Sequence, residues 1–154
     1  MIIDLGGGSH PRGDIVVDIQ FERANPAPEL LDPYLEEYGF KYNPNAKKIV
    51  WDLNKFPYPF EDNSADKILL SHVLEHLEAP VYVLRECKRI LKEGGLLVIV
   101  VPNPFKNNAD KIDKEHKYSW TVWSLRNLLE YVGFKVIEIK EIVEGLDIIA
   151  VVQK

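Results

Sequence analysis

Cysteine is nearly absent: the 154-residue chain has one, Cys87. That excludes an internal disulfide, and a reducing, cytoplasmic setting is expected. No apolar run approaches the ~20 residues that a membrane-spanning helix needs, so no membrane partner is expected. No basic segment followed by an apolar one announces a secretion signal. The chain opens almost directly on a strand-like run, so no lid is expected ahead of it. An excess of basic residues is missing too. Lys and Arg number 19 against 24 Asp and Glu, a formal net charge of −5. Such a charge leaves no electrostatic footprint for a nucleic-acid backbone, so nucleic acid is disfavoured as a partner. There is no internal repeat and no low-complexity segment. What remains is an ordinary globular composition, 46% hydrophobic and 28% charged. A single domain spanning 1–154 is expected, long enough to bury roughly 68–70% of its unfolded surface.

Four short apolar runs each stop at a residue with chemistry. Ile2–Leu5 stops at Gly6-Gly7-Gly8, and Ile15–Val17 stops at Asp18. Ile49–Trp51 stops at Asp52, and Ile68–Leu70 stops at Ser71-His72. If these runs are parallel strands of an open sheet, their carboxyl ends share one edge, and ligands bind at that edge.

In chain order, Ile2–Leu5 and Ile15–Asp18 read as the first two strands. The link between them, Gly6 to Asp14, is rich in Gly, Ser and Pro and too short for a full crossover helix. The first crossover helix is therefore expected to be absent or reduced to one turn. Asp32 as N-cap, Pro33 at the first helical position and Gly39 as stop predict a short helix. Lys48–Asp52 is the third strand, Leu53–Ala65 a loop and Asp66–Ser71 the fourth strand. Val73–Leu77 can form one helical turn. Pro80 opens a helix to Lys92 with Val83, Leu84, Cys87, Ile90 and Leu91 on one face, and Gly94-Gly95 ends it. Leu96–Val101, apolar on both faces, is the fifth and central strand. Asn103–Lys117 is a polar loop that could close over the sheet edge. Thr121 caps a helix from Val122 to Val132, closed by Gly133. Phe134–Ile142 and Asp147–Val152 are joined by a short turn, which only antiparallel strands allow. The fold class is therefore α/β, with a mixed sheet and an antiparallel terminal hairpin.

The strand ends suggest a nucleoside-sized ligand. A carboxylate at the end of the second strand, Asp18, can accept two ribose hydroxyls. Glycines after the first strand let a ligand approach backbone. Asp52 can accept from an exocyclic amine, and the Leu53 amide can donate to a ring nitrogen. The dinucleotide fingerprint G-x-G-x-x-G fits poorly. Its third glycine is Pro11, its helix is missing, and Asp18 comes too early for the ribose acid.

In the order and spacing of its segments, the chain resembles the class I S-adenosylmethionine-dependent methyltransferases of the small type 11 group. Asp4-Leu5-Gly6-Gly7-Gly8 is similar to that family's first motif, and Asp18 to its ribose-binding acid. Asp52-Leu53 and the following Phe60–Asp66 resemble its adenine-side segment. Ser71–Leu77, Glu86–Asn103, Leu128–Phe134 and the terminal hairpin resemble the segments that follow. The Gly8–Asp14 link departs from the family, which carries a helix there. The resemblance implies a Rossmann-like, doubly wound sheet of seven strands in the order 3-2-1-4-5-7-6. It implies S-adenosyl-L-methionine as cofactor, held by Asp4, Gly6, Gly7, Gly8, Asp18, Ile19, Asp52, Leu53, Ser71 and His72. It also implies transfer of a methyl group to an acceptor the sequence does not identify. The alternative is a catalytically silent, methyltransferase-like binding module, and a homodimer or partner subunit is compatible with either.

Methyl transfer can proceed by alignment alone, so a catalytic residue need not exist. His76, His116 and Tyr118 are the candidates for a base or an acceptor contact. His72 and His76 are four apart and could share a metal. No third ligand is evident: Glu75 points elsewhere on a helix and His116 is distant, so no metal is expected. Asn103-Pro104-Phe105 is not read as an amino-methylation signature, because that signature belongs after the fourth strand, where Ser71-His72-Val73-Leu74 stands.

Overall fold

The computed structural model describes residues 1–25 and 27–154. Seven strands form one sheet: β1 (Ile2–Leu5), β2 (Ile15–Asp18), β3 (Lys47–Val50), β4 (Ala65–Ser71), β5 (Leu91–Pro102), β6 (Lys135–Ile142) and β7 (Asp147–Gln153). Their order is β3-β2-β1-β4-β5-β7-β6, as expected. The first five run parallel, and β7 lies antiparallel between β5 and β6.

Alternation along the strands sorts side chains into two layers. On one face Ile68, Leu70, Leu97, Ile99 and Val101 pack with α2 (Pro80–Ile90) and α4 (Val122–Val132) through Val83, Leu84, Cys87, Leu125 and Leu129. On the other face Leu69, Val98, Val100 and Val151 meet Leu31 and Leu35 of α1 (Pro28–Glu36). Leu97 through Val101 are all fully buried, as a central strand requires. Thr121 caps α4 as expected. Its hydroxyl accepts the Ser124 N–H at 3.0 Å, and Gly133 ends the helix in the left-handed conformation.

Several boundaries differ from the sequence reading. α1 starts at Pro28, not after an Asp32 cap. The Asp32 carboxylate is drawn to the β1–β2 link, where it accepts from Arg12 Nε at 2.6 Å and faces His10 Nε2 at 2.9 Å. Pro33 therefore lies inside the helix. β3 stops at Val50, because Asp52 turns its own chain by accepting the Asn54 N–H at 2.9 Å. β5 begins five residues early, at Leu91, which pairs with Ala65 before the register shifts. That extended start ends α2 at Ile90. The polar segment 103–117 holds a short helix, α3 (Ala109–Ile112).

None of the residues between β1 and β2, all of them described, is helical. Arg12 supplies bulk there instead. It is 1% exposed, its N–H donates to Asp4 Oδ2 at 2.8 Å, and its Nε donates to α1. Among the described residues no helix is long and apolar enough to cross a membrane.

Candidate functional site

Register alone assembles the sheet edge. Leu5 pairs with Val17 and Asp18 with Val50, so Gly6, Asp18 and the Trp51-Asp52 step emerge side by side. Asp4 pairs with Leu69, which brings Ser71 and His72 to the same edge. Two adjoining cavities open there. The smaller, about 230 Å³, is bordered by Gly6, Asp18, Ile19, Asp52 and Leu53. The larger, about 480 Å³, is bordered by Gly6, Ser71, His72, Glu75 and His116. Gly6, Arg23 and His76 border both, so the lobes meet at those three residues. Taken as one cleft they fall within the roughly 300–1,000 Å³ of small-molecule sites.

The expected residues divide into lining and support. Gly6, Asp18, Ile19, Asp52, Leu53, Ser71 and His72 line the cleft. Asp4 and Gly7 lie beneath it, and Gly8 is packed against the segment that follows β2. Packing adds a second reason for the glycines, besides the open backbone expected at Gly6. A Cβ on Gly6, whose φ is +85°, would stand 2.4 Å from Val73 Cγ2. One on Gly7 would stand 2.5 Å from Asp4 Oδ2, and one on Gly8 2.6 Å from the Arg23 carbonyl oxygen. It is the protein's own packing, before any ligand, that excludes side chains here. Burial pushes the Asp4 carboxyl up to about 7, against the pull of the Arg12 N–H and guanidinium.

Asp18 is fully engaged. Its Oδ1 accepts the Ile19 N–H at 2.8 Å, and its Oδ2 accepts the Gly8 N–H at 3.0 Å and Arg23 Nη2 at 3.1 Å. The same Arg23 nitrogen donates to the Gly6 carbonyl at 2.9 Å. A partly exposed cation thus rests on the acid that the sequence reading expects to hold a ribose. The side chain of Arg23 is 42% exposed, so solvent can take over its hydrogen bonds if it turns away.

The larger lobe gathers ionisable groups from distant segments. Glu75 and His76 belong to a single 3₁₀ turn, Leu74–His76. The Glu75 carbonyl accepts the N–H groups of Lys117 and Tyr118 at 2.7 and 3.2 Å. Those bonds pin segment 103–117 over the cleft and seat His116 against His76, ring centroids 4.4 Å apart and perpendicular. His116 Nδ1 lies 2.8 Å from Asp110 Oδ1. The Glu75 side chain is fully buried, and neither of its oxygens has a hydrogen-bond partner. Burial raises it to about 7, offset in part by His72. Burial and the neighbouring His116 lower the pKa of His76. His72 adopts φ +55°, a left-handed backbone uncommon outside glycine, and such conformations cluster at functional positions. Burial draws its pKa down, but Asp147, whose Oδ1 lies 3.4 Å from Nε2, and Glu75 together leave it raised.

Two readings of the sequence are corrected. Glu75 does not point away: its carboxylate shares the lobe with His76 and His116, and these three are grouped closely enough to hold a metal. Tyr118 does not line the cleft; it stacks on Trp120 and donates its hydroxyl to the Glu78 carbonyl at 2.9 Å. Sequence reading missed Arg23 altogether, since a lone arginine in a loop carries no signal. Asn103 is structural, donating to the Gly145 carbonyl at 2.8 Å.

The family described as "Methyltransferase domain" matches residues 27–99. The match begins after β2, so the roles of Gly6 and Asp18 rest on geometry. An uncharacterized protein of Methanocaldococcus jannaschii is 35% identical over 79 residues, 51% of this chain and 34% of that protein. A Mycolicibacterium smegmatis protein named "Probable S-adenosylmethionine-dependent methyltransferase" is 32% identical over 81 residues, 51% of this chain and 32% of that protein. The chain thus spans about a third of the length of these curated relatives. Among solved structures, a Haloferax volcanii protein in complex with the Trm112 methyltransferase activator superposes with a TM-score of 0.72 at 18% identity. That superposition covers 99% of this chain and 81% of that one, and it shows a shared fold.

Proposed function

We propose that this chain is a class I S-adenosylmethionine-dependent methyltransferase, a reading supported by the family match over residues 27–99 and by its similarity to the Mycolicibacterium smegmatis protein, that its carboxyl-edge cleft binds S-adenosyl-L-methionine, and that it transfers the methyl group to an acceptor entering through the larger lobe. The observation that carries this reading is the two-lobed cleft hinged at Gly6, with Asp18 and Asp52 in a nucleoside-sized half.

Asp18 would hold the ribose hydroxyls and Asp52 the adenine amine, with Ile19 and Leu53 as apolar walls. Asp52 uses Oδ1 on the Asn54 N–H, which leaves its other oxygen for a ligand. Arg23, at the junction, would turn from Asp18 to the carboxylate of the methionine moiety, for which a guanidinium is well suited. The bound cofactor supplies a methyl already activated on a sulfonium. The protein's contribution is then to hold the acceptor in line with it, an effect that can reach ~7–11 kcal/mol. The segment 103–117, anchored on the Glu75 carbonyl, would exclude water from the larger lobe.

Calorimetric titration with S-adenosylhomocysteine tests the reading. Micromolar binding is expected, and Asp18→Ala should weaken it roughly ten- to hundredfold, about 1.5–3 kcal/mol, the scale of hydrogen bonds to a charged group. Absence of heat at millimolar ligand would leave the rival, a catalytically silent partner subunit.

A further inference from the structure

We propose that Glu75, His76 and His116 form a binding site for a divalent transition-metal ion in the larger lobe. Three features converge there. One ligating atom from each residue lies within 4.8 Å of the other two, close to the span that bonds of ~2.0–2.2 Å to a shared ion impose, so a small inward movement completes the set. The Glu75 carboxylate is wholly buried and both its oxygens are without a donor, although Arg23, Asn25, Ser71 and Asn107 border the same lobe. A buried carboxylate is normally paired, protonated or bound to a cation. His116 is held through Nδ1 by Asp110 at 2.8 Å, which leaves Nε2 toward Asp113, 3.4 Å away, and the lobe. A carboxylate behind a histidine in this way fixes ring orientation and strengthens the ligand in metal sites.

The donor set selects the ion. Two imidazoles and one carboxylate suit Zn²⁺, Fe²⁺ or Co²⁺ over Ca²⁺ or Mg²⁺, which prefer all-oxygen cages. Three protein ligands beside an open cavity also leave coordination positions free, the pattern of catalytic rather than structural sites. His72 stands on the rim, its Nδ1 3.9 Å from Glu75 Oε2. If the cleft binds S-adenosylmethionine as read above, the free positions face the acceptor, which would then carry an oxygen or nitrogen donor.

The test uses the full chain, stripped with chelator and titrated with Co²⁺, followed by visible d–d absorption and calorimetry, with Zn²⁺ in competition. One ion per chain, displaced by Zn²⁺, is expected. His116→Ala and the near-isosteric Glu75→Gln should each lower affinity at least ~tenfold, and Asp110→Asn by a similar factor. Thermal unfolding of each variant without metal confirms that it folds. No d–d bands with the wild-type chain, or affinity unchanged in folded Glu75→Gln and His116→Ala, overturns the proposal. Titration with S-adenosylhomocysteine in chelator reads the nucleoside lobe separately, so failure of the metal site and failure of the cofactor reading give different results.

Discussion

Arg23 holds Asp18 and the Gly6 carbonyl with a single nitrogen and borders both lobes. It covers Asp18, the acid proposed to hold the ribose, and its guanidinium stands at the junction where the proposed methionine carboxylate would lie. These roles separate experimentally. Arg23→Ala should weaken S-adenosylhomocysteine by about 1.5–3 kcal/mol, while 5′-methylthioadenosine, which lacks the carboxylate, binds as well as before or better. Equal losses for both ligands would assign Arg23 to the nucleoside half. Asp4 makes a different residue-level claim. Its folded pKa, about 7, exceeds the ordinary 3.8, so between those values the folded chain binds more protons than the unfolded one. Stability therefore falls as pH rises from about 4 to 7, and the penalty is complete above 7. Asp4→Asn keeps an acceptor for the Arg12 N–H but removes the ionisation. Relative to wild type, the variant should gain stability between pH 5 and pH 8, by roughly 2–3 kcal/mol. Urea denaturation at the two pH values reads the difference, and parallel pH profiles would free Asp4 of this role.

At the scale of elements, the β1–β2 link decides the shape of the cleft. With no helix in it, Arg12 is buried against Asp4 and α1, and the segment after β2 folds back so that the Arg23 carbonyl accepts the Ser9 N–H at 3.0 Å. Gly8 makes that close approach possible, since a Cβ there would stand 2.6 Å from the Arg23 carbonyl oxygen. Gly6→Ala would force a side chain into φ +85° and against Val73, 2.4 Å away. A loss of roughly 1–3 kcal/mol in unfolding free energy is expected, together with weaker S-adenosylhomocysteine binding, because the two lobes meet at Gly6. Denaturation midpoint and titration on the same preparation check both; a change in neither would mean that the loop repacks freely. The turn Leu74–His76 acts in a comparable way on the other lobe, holding segment 103–117 through one carbonyl.

At the scale of the whole molecule, the cleft lies where four parallel strand ends meet two loops, so a ligand bound there ties together segments far apart in sequence. Binding to the folded state alone stabilises it by about 2.7 kcal/mol at a hundredfold excess over Kd. For a chain of this size that corresponds to a rise in Tm of roughly 5–10 °C. S-adenosylhomocysteine should produce such a shift in a melting assay, and the Asp18→Ala variant should need more ligand for it. An unmoved Tm at saturating ligand would count against the cleft as the binding site.

The parallel strands, the terminal hairpin and the missing first helix could be read from sequence, because each depends on local facts: the period of apolar residues, the length of a link, a glycine or proline stop. Gly6, Asp18, Asp52, Ser71 and His72 could be read as one edge for the same reason, since parallel strands align their ends. Register and through-space contact decided the rest. Asp32 looked like a cap but was claimed by Arg12, twenty residues earlier in the chain. His116 looked remote from His76 and came to lie beside it through two backbone bonds to Glu75. Arg23 carried no pattern and settled on the central acid of the cleft. Periodicity is a property of neighbours along the chain, whereas a site made of side chains from separate loops exists only once the sheet has set the distances between them.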